Sequence, residues 1–256
     1  MPAAGTAQRL LQMTDTHLFA DPAARLAEVS VEARFRATLA AMRPWARGAS
    51  ALLHTGDLVH DGSEAGYRRL KQALESLGLP GRVTPGNHDD RATLQRVYAQ
   101  GQVTAARSLS LGGWGVIMLD SLLSGSVNGH LNAAELAGLG AAFAAEPAAH
   151  LLLAMHHQPV TVGTAWLDAI GLDNPAPLLE RIAAEPRVRA VVFGHVHHAV
   201  EVRQGGCRYL AAPATAAQFL PGATQFTIDR SAPGFRWLDL YPDGRIETGV
   251  ERVPSD

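Results

Sequence analysis

Residues 190–197 read Ala190-Val-Val-Phe-Gly-His-Val-His197: an apolar run, a glycine, then two histidines one residue apart. The apolar half has the composition of a buried strand, and the polar half follows it at once. Four other stretches repeat this design. RLLQM stands ahead of Asp15-Thr-His17, ALLHT ahead of Gly56-Asp57, RVT ahead of Gly86-Asn87-His88, and LLLAM ahead of His156-His157. Five times over, metal-binding side chains fall at the carboxyl end of a strand, which is where an open α/β sheet builds its active site.

The residue types suit transition-metal cations. Asp oxygen, Asn carbonyl and imidazole nitrogen together accommodate manganese, iron, zinc or cobalt, whereas an all-oxygen shell would favour magnesium or calcium. The candidates are Asp15, His17, Asp57, Asn87, His156, His195 and His197. Seven ligands are too many for one tetrahedral ion and right for two that share a carboxylate and keep positions open for water and substrate. Asp57 is assigned the bridge. Asp15, His17 and His197 complete one shell, and Asn87, His156 and His195 the other. Residues two apart on an extended segment point the same way, which suits Asp15 with His17 and His195 with His197. Gly56, Gly86 and Gly194 each precede a candidate ligand, where the chain must turn or pass close to a neighbour. Taken singly, each fragment has a plainer reading: Asp15 caps a turn, Asp57 is a loop acid, and His195 or His197 is a surface or core histidine. Their ordered co-occurrence is what carries the metal site.

In this order the blocks DxH, GD, GNH[DE], H and GHxH resemble the signature of the calcineurin-like metallophosphoesterase superfamily. GNHDDR at 86–91, MHHQPV at 155–160, TAWLD at 164–168 and QFTIDRSAPGFRWLDLYPDG at 225–244 are similar to the bacterial class III 3′,5′-cyclic AMP phosphodiesterases. The resemblance covers almost the entire chain. It implies a metal-dependent phosphoric diester hydrolase that opens 3′,5′-cyclic AMP to 5′-AMP, with manganese or iron as the favoured metals. It also favours His156 over its neighbour His157 as the ligand and implies that His88 acts on substrate oxygens.

Charge counting supports a diester. Two divalent ions, two aspartates and a bridging hydroxide leave about +1, which a singly charged phosphodiester neutralises. The expected reaction is in-line attack on phosphorus by the metal-bridging hydroxide. The ribose 3′ oxygen is a poor leaving group, so a positioned proton donor matters. His88, beside Asn87 and not needed as a ligand, is the candidate, with Asp57 and Asn87 completing the catalytic set. Asn87, His88, His17 and His197 are expected to face the substrate. The alternative for His88 is to orient a ligand through a hydrogen bond. Asp89 and Asp90 either orient His88 or open a helix ahead of Arg91. Trp166, Gln218 and Phe219 are candidates for holding adenine, by stacking in the case of the rings; for Trp166 and Phe219 the alternative is core packing. His54, His60, His130, His150 and His198 receive no role.

A chain of 256 residues that is 47% hydrophobic and 18% charged can bury a sizeable core, and is compatible with one domain over 1–256. VEARFRATLAAMRPWA, YRRLKQALESLG and PAPLLERIAAE alternate with the apolar runs, so helix and strand alternate and part of the sheet is parallel. After His198 come strand pairs, EVRQ-GG-CRYL and FRWLDLY-PDG-RIETGVERV. The expected fold is α/β, a two-sheet mixed β-sandwich flanked by helices, as the resemblance also implies. Residues 121–132 and 158–175 read as irregular loops bordering the site.

A net charge of −2 provides no basic field for a long nucleic acid, so the expected partner is a small cyclic nucleotide. The single cysteine, Cys207, excludes an intrachain disulfide. The opening MPAAGTAQRLLQMTD shows neither a charged leader nor a long apolar segment, and no run nears the roughly 20 residues of a bilayer span, so a cytoplasmic protein with no membrane partner is expected. Monomer and homodimer both stay open, with apolar residues of the hairpins the candidate pairing surface. Two other functions are compatible with the residues. One is a phosphodiesterase or phosphomonoesterase for another small substrate, such as a 2′,3′-cyclic nucleotide, a nucleotide sugar or a lipid headgroup, because a metal pair treats phosphoryl centres alike. The other is a non-catalytic binding module on the same fold, which predicts lost ligands where none is missing.

Overall fold

Successive side chains of a strand point to opposite faces, and in this chain both faces are apolar. In the computed structural model, which describes residues 5–253, that double burial produces two six-stranded mixed sheets covered by helices on their outer sides. The first sheet runs Ile246–Arg252, Gly234–Leu240, Gln8–Met13, Ala51–Thr55, Gly81–Thr84, Val103–Thr104. The second runs Val200–Gln204, Cys207–Ala211, Val188–Phe193, His150–Ala154, Trp114–Met118, Ser108–Leu111. Four strands of each sheet are parallel, from Gln8–Met13 to Val103–Thr104 and from Cys207–Ala211 to Trp114–Met118.

Leu10, Ala51 and Leu53 of the first sheet meet Trp114, Val116, Leu152, Val192 and Leu210 of the second, forming the inner core. Leu11, Met13, Leu52 and Val83 turn outward beneath helices Val31–Ala46 and Glu64–Glu75. The first of these helices buries Phe35, Leu39, Met42 and Ala46, one stripe at helical spacing, and Ser30 caps it by accepting from the Ala33 amide. On the far side Leu151, Leu153, Val191 and Phe193 pack under Leu139, Leu178 and Ile182 of helices Ala133–Ala145 and Pro175–Ala184.

Both hairpins form as read. Gly205 and Gly206 adopt φ of 58° and 83°, the left-handed pair of a two-residue turn, between antiparallel Val200–Gln204 and Cys207–Ala211. Pro242-Asp243-Gly244 joins Gly234–Leu240 to Ile246–Arg252, and Gly234–Leu240 then pairs antiparallel with Gln8–Met13, so the late part of the chain closes against the first strand. The five ligand-bearing segments follow Met13, Thr55, Thr84, Ala154 and Phe193, the last residues of parallel strands. Among the described residues no helix is long and apolar enough to cross a membrane. Among the described residues the exposed large apolar side chains are Leu123, Val127, Leu220, Phe226 and Ile228; they lie on the 121–132 and 218–229 segments and not on the two hairpins.

Candidate active site

All seven candidate ligands converge. Asp57 Oδ2 lies 3.5 Å from His17 Nε2 and 3.4 Å from His156 Nε2, midway between two sets of donors. On one side His197 Nε2 is 3.3 Å from Asp15 Oδ1 and 3.2 Å from His17 Nε2. On the other, Asn87 Oδ1 is 3.2 Å from His156 Nε2 and 3.0 Å from His195 Nδ1. Ligand atoms that share a cation at about 2.0–2.2 Å stand roughly 3.0–3.5 Å apart, so this set has the right spacing for two cations with Asp57 between them.

The outer nitrogens of the imidazoles set which inner atom is free. His156 Nδ1 donates to Thr55 O at 2.8 Å, His197 Nδ1 to Ala217 O at 2.7 Å, and His195 Nε2 to Ile170 O at 3.0 Å. A carbonyl can only accept, so each of these rings keeps a proton on its outer nitrogen and points its other nitrogen inward. Nε2 of buried His17 and Nε2 of His197, 3.2 Å apart, point at the same space, where they could hold a cation together. Burial pushes His17 well below the ordinary histidine range and, with His156 nearby, pushes His195 to about 3, so both are neutral. For His156 burial again opposes the charge, but the Asp57 carboxylate outweighs it and raises the ring to about 9. Asp57 is in turn held well below its ordinary range, because His156 and His17 overcome its own desolvation.

The backbone departs from the extended geometry anticipated for Asp15–His17 and His195–His197. Asp15, His17, Asp57, His195 and His197 all adopt left-handed φ, between 47° and 67°. They converge because the chain kinks at each one, at a cost of about 1–3 kcal/mol per residue. Backbone bonds hold the kinks: Asp15 N donates to Gly56 O, His17 N to Asp57 O, and Leu18 N to Leu58 O. The glycines act through close approach. A Cβ on Gly56 would lie 2.3 Å from His156 Nδ1, one on Gly86 2.3 Å from Asp57 Oδ1, and one on Gly194 2.1 Å from Thr14 Oγ1.

Around this floor the structure sorts the remaining candidates. His157 is buried with Nδ1 2.8 Å from Ser121 Oγ, and its ring packs against those of His156 and His195 at 4.8 and 4.6 Å. Asp89 does not touch His88. Its carboxylate accepts from the amides of Gly86, Leu58 and Val59 and from the Tyr67 hydroxyl, tying the Asp57 and Asn87 loops together. Asp90 caps helix Arg91–Val97 by accepting from Thr93 N. Gln218 is enclosed between Ala214 O and Arg252, so it is a structural residue and not a base contact. His130 and His150 pair with Asp173 and Pro242 O, and buried His54 pairs with the hydroxyl of Thr16, between Asp15 and His17.

Above the floor a cavity of about 290 Å³ is walled by Val127, Trp166, Ile170, Phe219, Phe226 and Ile228, with no Lys or Arg among its lining residues. Segments 121–132 and 158–175 thus do border the site, the second with a short helix, Ala165–Asp168, where an irregular loop was expected. Trp166 and Phe219 face this cavity, and Phe219 lies flat on the His197 ring at 4.0 Å. Sequence reasoning missed Phe226 and Ile228, which the short pairing of Gln218–Phe219 with Ile228–Asp229 brings to the rim. It also missed His60, whose Nδ1 is 3.1 Å from His17 Nδ1. The available signal was its place three residues after Asp57, at the end of the segment zipped to Asp15–Leu18.

Two six-stranded sheets and a paired-cation floor at their carboxyl edge define a phosphoesterase. Residues 8–199 match the calcineurin-like phosphoesterase family, and the chain belongs to it. The 3′,5′-cyclic adenosine monophosphate phosphodiesterase CpdA of Pseudomonas aeruginosa is 38% identical over 252 residues, 98% of this chain and 92% of the relative. The protein of the same name from Escherichia coli strain K12 is 36% identical over 255 residues, 99% and 93% of the two chains. Among solved structures, a dimetal phosphatase from Danio rerio aligns with a TM-score of 0.63 at 14% identity, covering 98% of this chain and 100% of that one. A purple acid phosphatase from yellow lupin gives 0.67 at 14% identity, covering 98% and 55%. These two establish the fold.

Proposed function

We propose that the chain hydrolyses 3′,5′-cyclic AMP to 5′-AMP at a centre of two divalent cations. Asp57 would be shared by both, Asp15, His17 and His197 would hold one, and Asn87, His156 and His195 would hold the other. The nitrogen and oxygen donors suit manganese and iron, with zinc and cobalt also compatible. When bound, the cations supply a nucleophile from water near neutral pH and neutralise phosphoryl charge.

The chain's own residues do the rest. The carbonyls of Thr55, Ala217 and Ile170 fix three of the ligand imidazoles, so the floor is organised before substrate arrives. His88 is exposed at the edge of the floor, and its amide donates to Asp57 Oδ1 at 2.9 Å, which fixes the start of its side chain beside the bridging carboxylate. From there it gives a proton to the departing ribose 3′ oxygen. Asn87, His17 and His197 face the phosphate from the same floor.

One observation carries the choice of substrate: a small, aromatic, cation-free cavity opens directly on the floor. Its volume is at the low end of small-molecule sites, about 300–1,000 Å³, which suits one mononucleotide. Trp166, Phe219 and Phe226 offer faces and edges to a base. The full-length likeness to relatives named as 3′,5′-cyclic AMP phosphodiesterases supports the same reading. A second messenger is a cytoplasmic substrate, and the buried free thiol of Cys207 suits that compartment.

The test is hydrolysis of 3′,5′-cyclic AMP by the manganese-loaded protein, beside 2′,3′-cyclic AMP and bis(p-nitrophenyl) phosphate, with Asn87→Ala as control. Production of 5′-AMP that the substitution abolishes is the expected result. Cleavage of the artificial diester alone overturns the substrate and keeps the metal centre.

A further inference from the structure

His60 is half-buried and lines the cavity. Two contacts define it. Its Nδ1 lies 3.1 Å from Nδ1 of His17, and its ring lies flat against that of His88, with centroids 4.4 Å apart and planes inclined by 21°.

The first contact has a definite polarity. His17 Nε2 faces Asp57 Oδ2, Asp15 Oδ1 and His197 Nε2, so a neutral His17 able to ligate must keep its proton on Nδ1. Two ring nitrogens at 3.1 Å form a hydrogen bond only if one donates and the other accepts. With His17 as a metal ligand, its Nδ1–H is the donor and His60 Nδ1 the acceptor. The other three imidazoles of the floor use backbone carbonyls for this purpose; His17 uses a side chain. The second contact concerns an exposed ring. His88 is anchored through its backbone amide, and its imidazole rests on the face of His60 and against the edge of His17, at 5.0 Å and 75°.

We propose that His60 is a positioning residue with two separable tasks, holding His17 in its metal-binding tautomer through Nδ1 and holding the His88 ring over the floor through its face. The inference rests on the proposed two-metal reading and assigns this chain a residue that acts through both a ligand and the proton donor.

Two substitutions divide the tasks. His60→Asn keeps an acceptor for His17 and removes the ring face; His60→Phe keeps the face and removes the acceptor. His60→Ala removes both. Manganese affinity by calorimetry is the readout independent of turnover. His60→Phe should weaken binding of one equivalent by about 10–100-fold, as loss of a ligand's outer partner does, and His60→Asn should largely restore it. At saturating manganese the order reverses. His60→Asn should lower kcat for 3′,5′-cyclic AMP by about tenfold or more, with KM little changed, and His60→Phe should retain it. Bis(p-nitrophenyl) phosphate, whose leaving group needs no proton, should be cleaved by His60→Asn at the wild-type rate.

Equal effects of Asn and Phe on both readouts overturn the division of tasks. Loss of a third equivalent of manganese in all variants overturns the assignment itself, because His17, His60 and His88 would then be a ligand set. Wild-type protein that binds no manganese at all removes the two-metal reading beneath it. Failure of His60→Ala to fold leaves the Asn and Phe comparison intact.

Discussion

The floor and the wall of the cavity are built on opposite principles. The floor is buried and polar, its loops are zipped by backbone bonds, and its imidazoles are fixed by carbonyls. The wall is apolar and partly exposed; Phe226 keeps 62% and Val127 52% of their surface in water, and the rings touch edge to face. The wall draws on two parts of the chain: Val127, Trp166 and Ile170 lie with the floor inside the family match at 8–199, while Phe219, Phe226 and Ile228 lie beyond it. On the proposed reading, reactivity and selectivity reside in different structural materials, one buried and polar and the other apolar and partly exposed.

The sharpest way to break that contrast is Asp57→Asn, which keeps shape and removes the shared charge. Hydrolysis of cyclic AMP and of bis(p-nitrophenyl) phosphate should fall together by at least about a thousandfold, since charge stabilisation here is worth several kcal/mol. Selective loss of one substrate would put substrate contacts in the floor and dissolve the distinction.

Metal affinity should also track pH. With His17 and His195 kept neutral by burial, His156, raised to about 9, still carries a proton at pH 7 that the metal must expel. Manganese titrations at pH 7, 8 and 9 should show about a fiftyfold tightening, close to tenfold over the first unit and about fivefold over the second; a flat profile would mean the His156–Asp57 pair does not form. The metal-free fold should respond in the opposite sense. Its folded-state pKa is above the ordinary 6.5, so the stabilisation is complete below 6.5 and lost as pH rises through about 9.

Gly56→Ala probes how rigid the floor is. At φ 98° and 2.3 Å from His156 Nδ1, an added methyl must displace that ring. Manganese affinity should drop by about 10–100-fold, the range for disturbing a ligand's support, and wild-type affinity would reveal a yielding floor. The smallest effect belongs to the wall. Phe226→Ala should raise KM for cyclic AMP by about five- to tenfold, the lower part of the range for losing a base-stacking ring, and leave manganese affinity and the artificial diester unchanged. A change in metal affinity would show that wall and floor are coupled.

The same division governs what can be read from residues in order. Asp15, His17, Asp57, Asn87, His156, His195 and His197 are legible because metal chemistry restricts residue type, and each follows a strand whose apolar run is itself unmistakable. The strands, helix Val31–Ala46 and both hairpins are legible for the same reason: periodicity and turn glycines are local. Phe226 is not, because a phenylalanine in a polar stretch looks the same whether it packs in a core or rims a cavity. His60 escaped because its meaning lies in a contact with His17 across 43 residues. Asp89 was misjudged because four donors converge on it from three segments. The extended spacing anticipated for Asp15 and His17 grouped residues that the structure does bring together, but by kinked backbone and not by extension.

That geometry sets a double standard for mutational drift. Five of the candidate ligands must satisfy a cation and also tolerate a left-handed backbone, a combination open to aspartate, asparagine and histidine and hostile to β-branched residues. A change to valine at Asp15 would therefore lose twice, once in charge and once in conformation, whereas asparagine isolates the charge alone. Lineages that abandon catalysis while keeping the sandwich should replace these positions with asparagine or glycine before any other residue, leaving a scar of conformation where the chemistry used to be.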